Sequence, residues 1–246
     1  MDNYHWIFLS PHLDDVALSC GGLVWDLAHK GHVVEIWTLM AGLPPDKPYS
    51  DFAEENHLIW GMSGKAAILM RRDEDQNACD ILGAQPKQFD WADAIYRVDL
   101  MTGESIVNND LELFGKAPEE WLVDEIGDLL RTKISGDAQV VLPMGLGGHI
   151  DHRAVVKAGN VLQRMPFYYA DYPYILKSFD PSKFHSSRWR RIPYALDEEA
   201  LYSWQESVLC YASQINYFWR DEEEVRLAIR NYLAGGGGRL WQENTN

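Results

Sequence analysis

Short apolar runs alternate with longer stretches of helical periodicity over the first two thirds of the chain. The runs are short, as strands buried on both faces are, and the stretches between them repeat apolar residues every three or four positions. Gly31 and Gly83 stand where two predicted helices end, and Pro118 stands where a third begins. The pattern predicts strands at residues 6–9, 33–39, 94–98 and 139–142, and helices at residues 17–30, 66–82, 119–133 and 153–164.

Strands that alternate with helices are typical of a parallel sheet with helices on both faces. We therefore predict an α/β fold whose sheet is doubly wound and mainly parallel, in the Rossmann-like manner. The alternation loosens after Pro166. Beyond it, residues 167–170 and 188–194 have an extended pattern, and residues 196–215 and 222–233 have a helical one.

Two segments rich in glycine or proline interrupt these elements. Residues 41–65 form a connection long enough to be a functional or mobile loop. The glycines at 235–238 predict a flexible hinge before a short tail. No internal repeat or compositional break divides the chain, so we predict a single domain over residues 1–246, with residues 166–246 as an extension of mixed strand and helices.

The composition argues against some classes of binding partner. The chain of 246 residues is 46% hydrophobic, which is enough for one large domain. Its formal net charge of −15 repels phosphate backbones and anionic lipids, so nucleic acid and membrane surfaces are not expected partners. The three cysteines form no CxxC pair, which fits a reducing cytoplasm. We expect a cytoplasmic protein, because neither a signal-peptide pattern nor an apolar run of membrane-spanning length is visible.

Two short polar motifs carry the chemistry. His-Leu-Asp-Asp at residues 12–15 follows the predicted strand at 6–9, and His-Ile-Asp-His at residues 149–152 follows the strand at 139–142. Ligands of open α/β sheets bind beyond the carboxyl ends of the strands, so we expect the two loops to meet there. Together they supply three histidines and three aspartates. Imidazoles and carboxylates in that number indicate a metal site with a spare base.

The spacing within each motif brings two side chains to one face, since the outer residues are three apart. Two histidines and a carboxylate with an open fourth position match catalytic zinc sites, in which bound water has a pKa of about 7. Asp14 can then take the proton, His149 can serve as a cationic donor to a developing oxyanion, and Asp151 can orient a histidine ring. The alternative is a turn in which Asp15 caps the helix at 17–30. The occurrence of both motifs after strands favours the metal site.

These motifs resemble those of the LmbE-like (PIG-L-like) zinc-dependent deacetylases, which remove acetyl groups from N-acetylglucosamine-type sugars. The family's first motif is usually His-Pro-Asp-Asp and its second is His-x-Asp-His, here at residues 12–15 and 149–152. A weaker element is an Arg-x-x-Glu helix that ends in Leu-Gly, here residues 71–74 and 82–83. Residues 211–215 are also similar to a late segment of the family.

The resemblance implies a role for each residue of the two motifs. One zinc ion per chain, with Fe²⁺ as the alternative, would be bound by His12, Asp15 and His152. Asp14 would be the general base. His149 would stabilise the oxyanion or act as an acid toward the leaving amine.

Further positions bear on the substrate. The resemblance implies that Arg71 binds the sugar, with Arg72 as the competitor for that role. Tyr172 and Tyr174 belong to an aromatic segment suited to a sugar, and the alternative for each is a place in the core. Gly147 stands where some members of the family have a tyrosine that helps to polarise the substrate carbonyl. That help is either absent or comes from another residue.

The sequence predicts a metal-dependent hydrolase that removes an N-acetyl group from an N-acetylglucosamine-type sugar or glycoconjugate, by metal-activated water with an aspartate base. The expected substrate is small, soluble, and neutral or weakly polar. Two alternatives stay open: an amidase for another acyl group or natural product, and an inactive homologue that binds metal and ligand. Asp14 argues against the second, because a silent site has no use for a base beside the metal. The sequence also leaves open whether copies of the chain form a homo-oligomer.

Overall fold

A single sheet of seven strands forms the centre of the computed structural model, which describes residues 4–46, 48–178 and 189–244. The spatial order is β3-β2-β1-β4-β5-β7-β6; the first five strands are parallel, and β7 pairs antiparallel with both of its neighbours. The strands are β1 His5–Ser10, β2 Val33–Thr38, β3 Gln85–Gln88, β4 Gln139–Pro143, β5 Phe167–Tyr169, β6 Trp189–Arg191 and β7 Leu240–Glu243.

Helices cover the sheet, which confirms the predicted α/β class with a mainly parallel, Rossmann-like sheet. None of the described helices is both long and apolar enough to cross a membrane. The helices are α1 Asp15–His29, α2 Asp51–Trp60, α3 Gly64–Leu82, α4 Asp110–Gly115, α5 Glu120–Lys133, α6 Ile150–Ala158, α7 Tyr174–Ser178, α8 Glu198–Leu209, α9 Ala212–Phe218 and α10 Glu222–Ala234.

The central strand β1 divides the core into two layers. Side chains alternate between the faces of a strand, so Phe8 packs with α1, α3 and α8 while Ile7 and Leu9 pack with α5 and α6 on the opposite face. All three side chains have no exposed surface. A strand buried on both faces must be apolar throughout, which is why the pattern at residues 6–9 predicts it.

The strand order reverses between β1 and β4, and this reversal positions the site. From β1 the chain crosses through α1 to β2 on one side, and from β4 it crosses through α6 to β5 on the other. The loops that follow β1 and β4 therefore turn in opposite directions at the carboxyl ends of the strands, and a crevice lies between them. The two histidine motifs occupy these loops.

The structure differs from the predicted elements near the far edge of the sheet. Residues 94–98, predicted as a strand, contain the short 3₁₀ helix Ala94–Tyr96, and the Asp93 side chain caps its first turn by accepting a bond from the N–H of Ile95. The third strand on this side is β3 instead. Its sequence is Gln-Pro-Lys-Gln, so no apolar run marks it. An edge strand in contact with solvent does not need one.

The segment 41–65 is not a loop throughout. It contains α2, whose start is capped by Ser50 Oγ accepting a hydrogen bond of 3.2 Å from the N–H of Ala53. Residues 196–215, predicted as one helix, form the two helices α8 and α9, which are separated at residues 210–211.

The predicted hinge at residues 235–238 is also wrong. The tail beyond it is β7, which lies between β5 and β6 and places Leu240 in the core with 5% of its surface exposed. Gly238 has a φ of 68°, and a Cβ there would lie 2.6 Å from the ring of Trp204. The glycine is needed for close packing and for its backbone conformation, so the run is fixed in place.

Leu240→Ala should therefore destabilise the protein by about 2–5 kcal/mol, the usual cost of emptying a buried leucine site. Leu227→Ala is the matched control, because Leu227 is 56% exposed on α10. Its effect should stay within about 0.5 kcal/mol. Chemical denaturation followed by circular dichroism measures both. Equal stability of the two variants would contradict the assignment of the tail to the core.

Candidate active site

The carboxylate of Asp15 lies between two imidazoles in the crevice. Its Oδ2 atom is 3.3 Å from Nδ1 of His12 and 3.3 Å from Nε2 of His152, and it accepts a hydrogen bond of 2.8 Å from the backbone N–H of His12. All three residues are buried. Asp15 is the first residue of α1 and His152 lies in the first turn of α6, so the two helix starts hold the cluster together.

Each of the two imidazoles also contacts a further carboxylate on the side of the ring that faces away from Asp15. Nδ1 of His152 is 2.6 Å from Oδ1 of Asp171, whose other oxygen accepts a bond from the N–H of Leu146. Nε2 of His12 is 3.1 Å from Oδ2 of Asp151. These contacts orient the rings so that the opposite nitrogens face Asp15. Asp171 belongs to the aromatic segment expected to hold a sugar, but the structure places it against a histidine instead.

Asp151 is anchored by a buried arginine. Its Oδ1 is 2.7 Å from a terminal nitrogen of Arg97, whose Nε is 2.7 Å from Glu119. Burial alone would raise the pKa of Asp151, but the positive charge of Arg97 lowers it well below its ordinary value. Asp151 therefore remains a carboxylate that can accept a hydrogen bond from His12.

The cluster fits a divalent metal. Nε2 of His152 is buried and has no hydrogen-bond partner among residues 4–46, 48–178 and 189–244. Asp15 Oδ2 lies 3.3 Å from one nitrogen of each imidazole, which is close to the separation of two ligands that share an ion with bonds of about 2.0 Å. Among the described residues, the donor atoms that lie within 4.8 Å of one another belong to other sets: the nitrogens of His12, His149 and His152, and the donors of His12, Asp93 and Asp151. The set of three histidines is therefore the competing arrangement.

His149 differs from the other two histidines in charge. Its Nδ1 accepts a hydrogen bond of 3.2 Å from the N–H of Asp151. Burial lowers its pKa well below 6.5, and the positive charge of His12 lowers it further. The ring is therefore assigned as neutral with its proton on Nε2, and we expect it to act as a neutral rather than a cationic donor. A neutral imidazole still donates one hydrogen bond.

Asp14 lies beside Arg71 in the same crevice. Burial raises the pKa of Asp14 to about 7, although the guanidinium of Arg71 opposes the shift from 3.5 Å away. A carboxylate with that pKa is suited to accept a proton at neutral pH. Arg72, the competitor of Arg71, bonds to the carbonyl of Ala41 and to Asp90 at the outer surface. Only Arg71 of the two lines the crevice.

The crevice is a cavity of about 90 Å³ whose walls come from several elements. Asn56 and Trp60 of α2 reach it, so the segment 41–65 contributes to the site although it is partly helical. Tyr172 and Tyr174 both line it, but Tyr172 is only 2% exposed and packs against Tyr232 in the core. Described residues from other elements that line it include Asp93, Ile95, Leu113, Phe114, Gln214 and Tyr217.

The late segment at residues 211–215 packs against α3. The hydroxyl of Tyr211 donates to Asp75, and Ser213 donates twice to Glu74, at 2.8 Å from its N–H and 2.6 Å from its Oγ. These bonds fix the helix that carries Arg71 and bring Gln214 to the cavity.

Sequence reasoning missed the roles of Asp171 and Arg97, and it missed Phe114 altogether. Arg97 precedes its partner motif by a long stretch of chain, and no local pattern connects them. A signal for Asp171 did exist, because an acid directly after the strand next to β4 can reach the second motif.

Metal binding at pH 7 should release about two protons. Burial opposes a charge on either imidazole, but in the metal-free protein Asp15 and Asp171 raise the pKa of His152 to about 9. That of His12 is also raised well above 6.5, mainly by Asp93. Both rings therefore hold protons at pH 7 that a metal must displace. Calorimetric titration with zinc in buffers of different ionisation enthalpy counts them.

The same pKa direction fixes the pH dependence of stability. A folded pKa above the unfolded value of 6.5 stabilises the metal-free protein fully below pH 6.5, and this contribution is lost as the pH rises through about 9. Asp171→Asn removes one of the charges that raise the pKa of His152. It should therefore reduce both the number of protons released on metal binding and the stabilisation that is lost as the pH rises. A proton count near zero for the unsubstituted protein would contradict this charge assignment.

Comparisons with known proteins agree with this geometry. The sequence profile of the family described as PIG-L: GlcNAc-PI de-N-acetylase matches residues 7–162, a region that includes both histidine motifs and Arg71. The 2'-N-acetylparomamine deacetylase of Niallia circulans is 27% identical over 246 residues, which cover 92% of this chain and 86% of that protein. The protein of the same name from Streptomyces fradiae is 28% identical over 180 residues, covering 68% of this chain and 57% of its own length.

Solved structures extend the likeness to the whole fold. The zinc-inhibited form of teicoplanin deacetylase has a TM-score of 0.75 with 26% identity and 97% coverage of both chains. A deacetylase–teicoplanin complex has a TM-score of 0.76 with 26% identity, covering 98% of this chain and all of the other. A 4-carboxy-2-hydroxymuconate hydratase from Pseudomonas putida has a TM-score of 0.58 with 17% identity, which shows the fold alone. Because the family profile spans more than half of its residues, the chain belongs to the PIG-L family of de-N-acetylases.

Proposed function

We propose that the protein is a metal-dependent deacetylase that hydrolyses the N-acetyl group of a small amino sugar or glycoconjugate. The observation that carries the proposal is the pair of adjacent carboxylates at the end of β1. Asp15 lies between two imidazoles, and Asp14 lines the cavity beside them with a pKa near 7. Similarity to deacetylases of acetylparomamine and teicoplanin supports an amide as the bond that is cleaved.

The metal ligands that we assign are Nδ1 of His12, Oδ2 of Asp15 and Nε2 of His152. Two imidazoles and a carboxylate are the ligands of many catalytic zinc sites, so zinc is the proposed ion and Fe²⁺ its alternative. A divalent metal held there supplies a Lewis acid that lowers the pKa of water and polarises the amide carbonyl. Asp171 and Asp151 keep the two imidazoles in the required orientation.

Asp14 carries out the proton transfers. Its carboxylate accepts a proton from the attacking water as the water oxygen bonds to the acetyl carbon. His149, neutral with its proton on Nε2, donates a hydrogen bond to the carbonyl oxygen as negative charge develops. Asp14 then returns the proton to the nitrogen while the C–N bond breaks. Acetate and a free amine leave the site.

The walls of the cavity support an amino sugar. Trp60 and Tyr174 line the cavity with aromatic rings. Arg71, whose buried Nε has no hydrogen-bond partner among the described residues, can donate to a sugar hydroxyl. The helices α2 and α4, which both contribute residues to the cavity walls, hold several acidic side chains and no lysine or arginine. This field suits a substrate with further amino groups and repels phosphate.

The fold alone does not determine the reaction, since a hydratase shares it. An amidase for a larger acyl group and an inactive binding homologue are therefore outcomes of the activity test. They are distinguished by which acyl groups, if any, the protein releases.

Zinc-loaded protein should release free amine from at least one N-acetylated amino sugar, such as 2'-N-acetylparomamine. Asp14→Asn should keep the metal and lower kcat by about 10²–10⁴-fold, because the general base is lost. Asp90→Asn is the matched control, since Asp90 lies at the surface against Arg72, and its kcat should match the unsubstituted protein. Amine assays and elemental analysis measure both effects. Release of no amine by the unsubstituted protein, or full activity of Asp14→Asn, would refute the proposal.

His152→Ala should lose most of the bound metal, because it removes one of three proposed ligands. His57→Ala serves as the comparison. His57 is also buried, but it bonds to Tyr96 and is not among the residues that line the crevice, so its loss should leave the metal content unchanged. Full metal occupancy in His152→Ala would overturn the ligand assignment.

A further inference from the structure

Tyr174 occupies the space that a side chain at position 147 would need. Gly147 lies in the loop after β4 with a φ of 81°, and Tyr174 is the first residue of α7, after β5. A Cβ built on Gly147 would lie 2.9 Å from Cβ and Cγ of Tyr174 and 3.0 Å from its Cδ1. No side chain fits at position 147 while the tyrosine is there. The absence of a side chain on one loop therefore makes room for an aromatic ring from the next.

The ring of Tyr174 contacts His152 and Phe114. It meets His152 edge-on with 5.5 Å between ring centroids, and it meets Phe114 at 5.7 Å. Phe114 in turn meets His149 at 5.4 Å. Tyr174 and His149 thus line the same side of the cavity, and Phe114 contacts both of them.

The hydroxyl of Tyr174 differs from those of three buried tyrosines nearby. It makes no hydrogen bond with any residue in the described parts of the chain, whereas the buried Tyr169, Tyr211 and Tyr232 donate to Leu9, Asp75 and Ala170. A tyrosine phenol has an ordinary pKa of about 10, so it is protonated at neutral pH. The phenol stays protonated and can only donate toward a group in the cavity that accepts.

We propose that the Tyr174 hydroxyl donates a hydrogen bond to the carbonyl oxygen of the scissile acetamide, so that α7 supplies a donor that Gly147 cannot. The inference rests on the proposed deacetylase function and adds a second donor beside Nε2 of His149. The bond strengthens as the carbonyl oxygen gains negative charge, and no proton is transferred through it. Tyr174 thereby acts on kcat, in contrast to a tyrosine that only stacks on the sugar.

Tyr174→Phe removes the hydroxyl and keeps the ring. Loss of one oxyanion donor typically lowers kcat by about 10²–10³-fold. The variant should keep its metal content and change KM little, because the ring still fills the space over Gly147. Tyr232→Phe is the matched control: it also loses a buried tyrosine hydroxyl, which bonds to Ala170 outside the cavity, so kcat should stay unchanged.

A second substrate separates chemistry from packing. The trifluoroacetyl analogue of the same amino sugar forms a less basic oxyanion, so it needs the donor less. Tyr174→Phe should therefore lose less kcat on the trifluoroacetyl substrate than on the acetyl substrate. An equal loss on both substrates, a change in KM alone, or unchanged kcat would overturn the role. If the unsubstituted protein released no amine from either substrate, the proposed function itself would fail and the inference would fall with it.

Discussion

One carboxylate oxygen, Oδ2 of Asp15, connects the elements on which the site depends. It contacts His12 at the end of β1 and His152 at the start of α6, and it also accepts the N–H of His12. Asp171 extends the chain of contacts to β5. Three neighbouring parallel strands, β1, β4 and β5, are thereby tied at their carboxyl ends. The parallel sheet brings these loops together, and the carboxylate fixes how closely they meet.

Buried charge is the cost of this arrangement. Carboxylates and cations alternate through the crevice, and each carboxylate is stabilised by a cation that it contacts: Asp14 by Arg71, Asp15 by two imidazoles, and Asp151 by Arg97. Charged groups removed from water are tolerated only when paired in this way. The pairing also separates the two adjacent aspartates, since the pKa of Asp15 is lowered by its imidazoles, against the effect of burial, while that of Asp14 is raised by burial. Two neighbouring carboxylates thus acquire different chemistry from their surroundings.

The parallel core and the two motifs are predictable from the sequence for a physical reason. Strands buried on both faces must be apolar, so β1, β2 and β4 stand out, and the motifs directly follow two of them. The edge strand β3 and the inserted strand β7 lack an apolar run that would predict them. β3 is polar, and β7 is short and follows a run of glycines that is typical of a flexible segment. Arg97 and Asp171 reach the site from distant positions, and only the fold brings them there. The place of Tyr174 depends on a glycine in another loop, a relation that no linear pattern contains.

Anomalous diffraction from a crystal of the zinc-loaded protein distinguishes the assigned ligands from the set of three histidines. The assignment places the zinc peak about 2.0–2.2 Å from Nδ1 of His12, Oδ2 of Asp15 and Nε2 of His152. Nε2 of His149 would then be outside bonding distance and free to meet the substrate. A peak bonded to His149 and remote from Asp15 would contradict both the ligand assignment and the division of labour between the two aspartates.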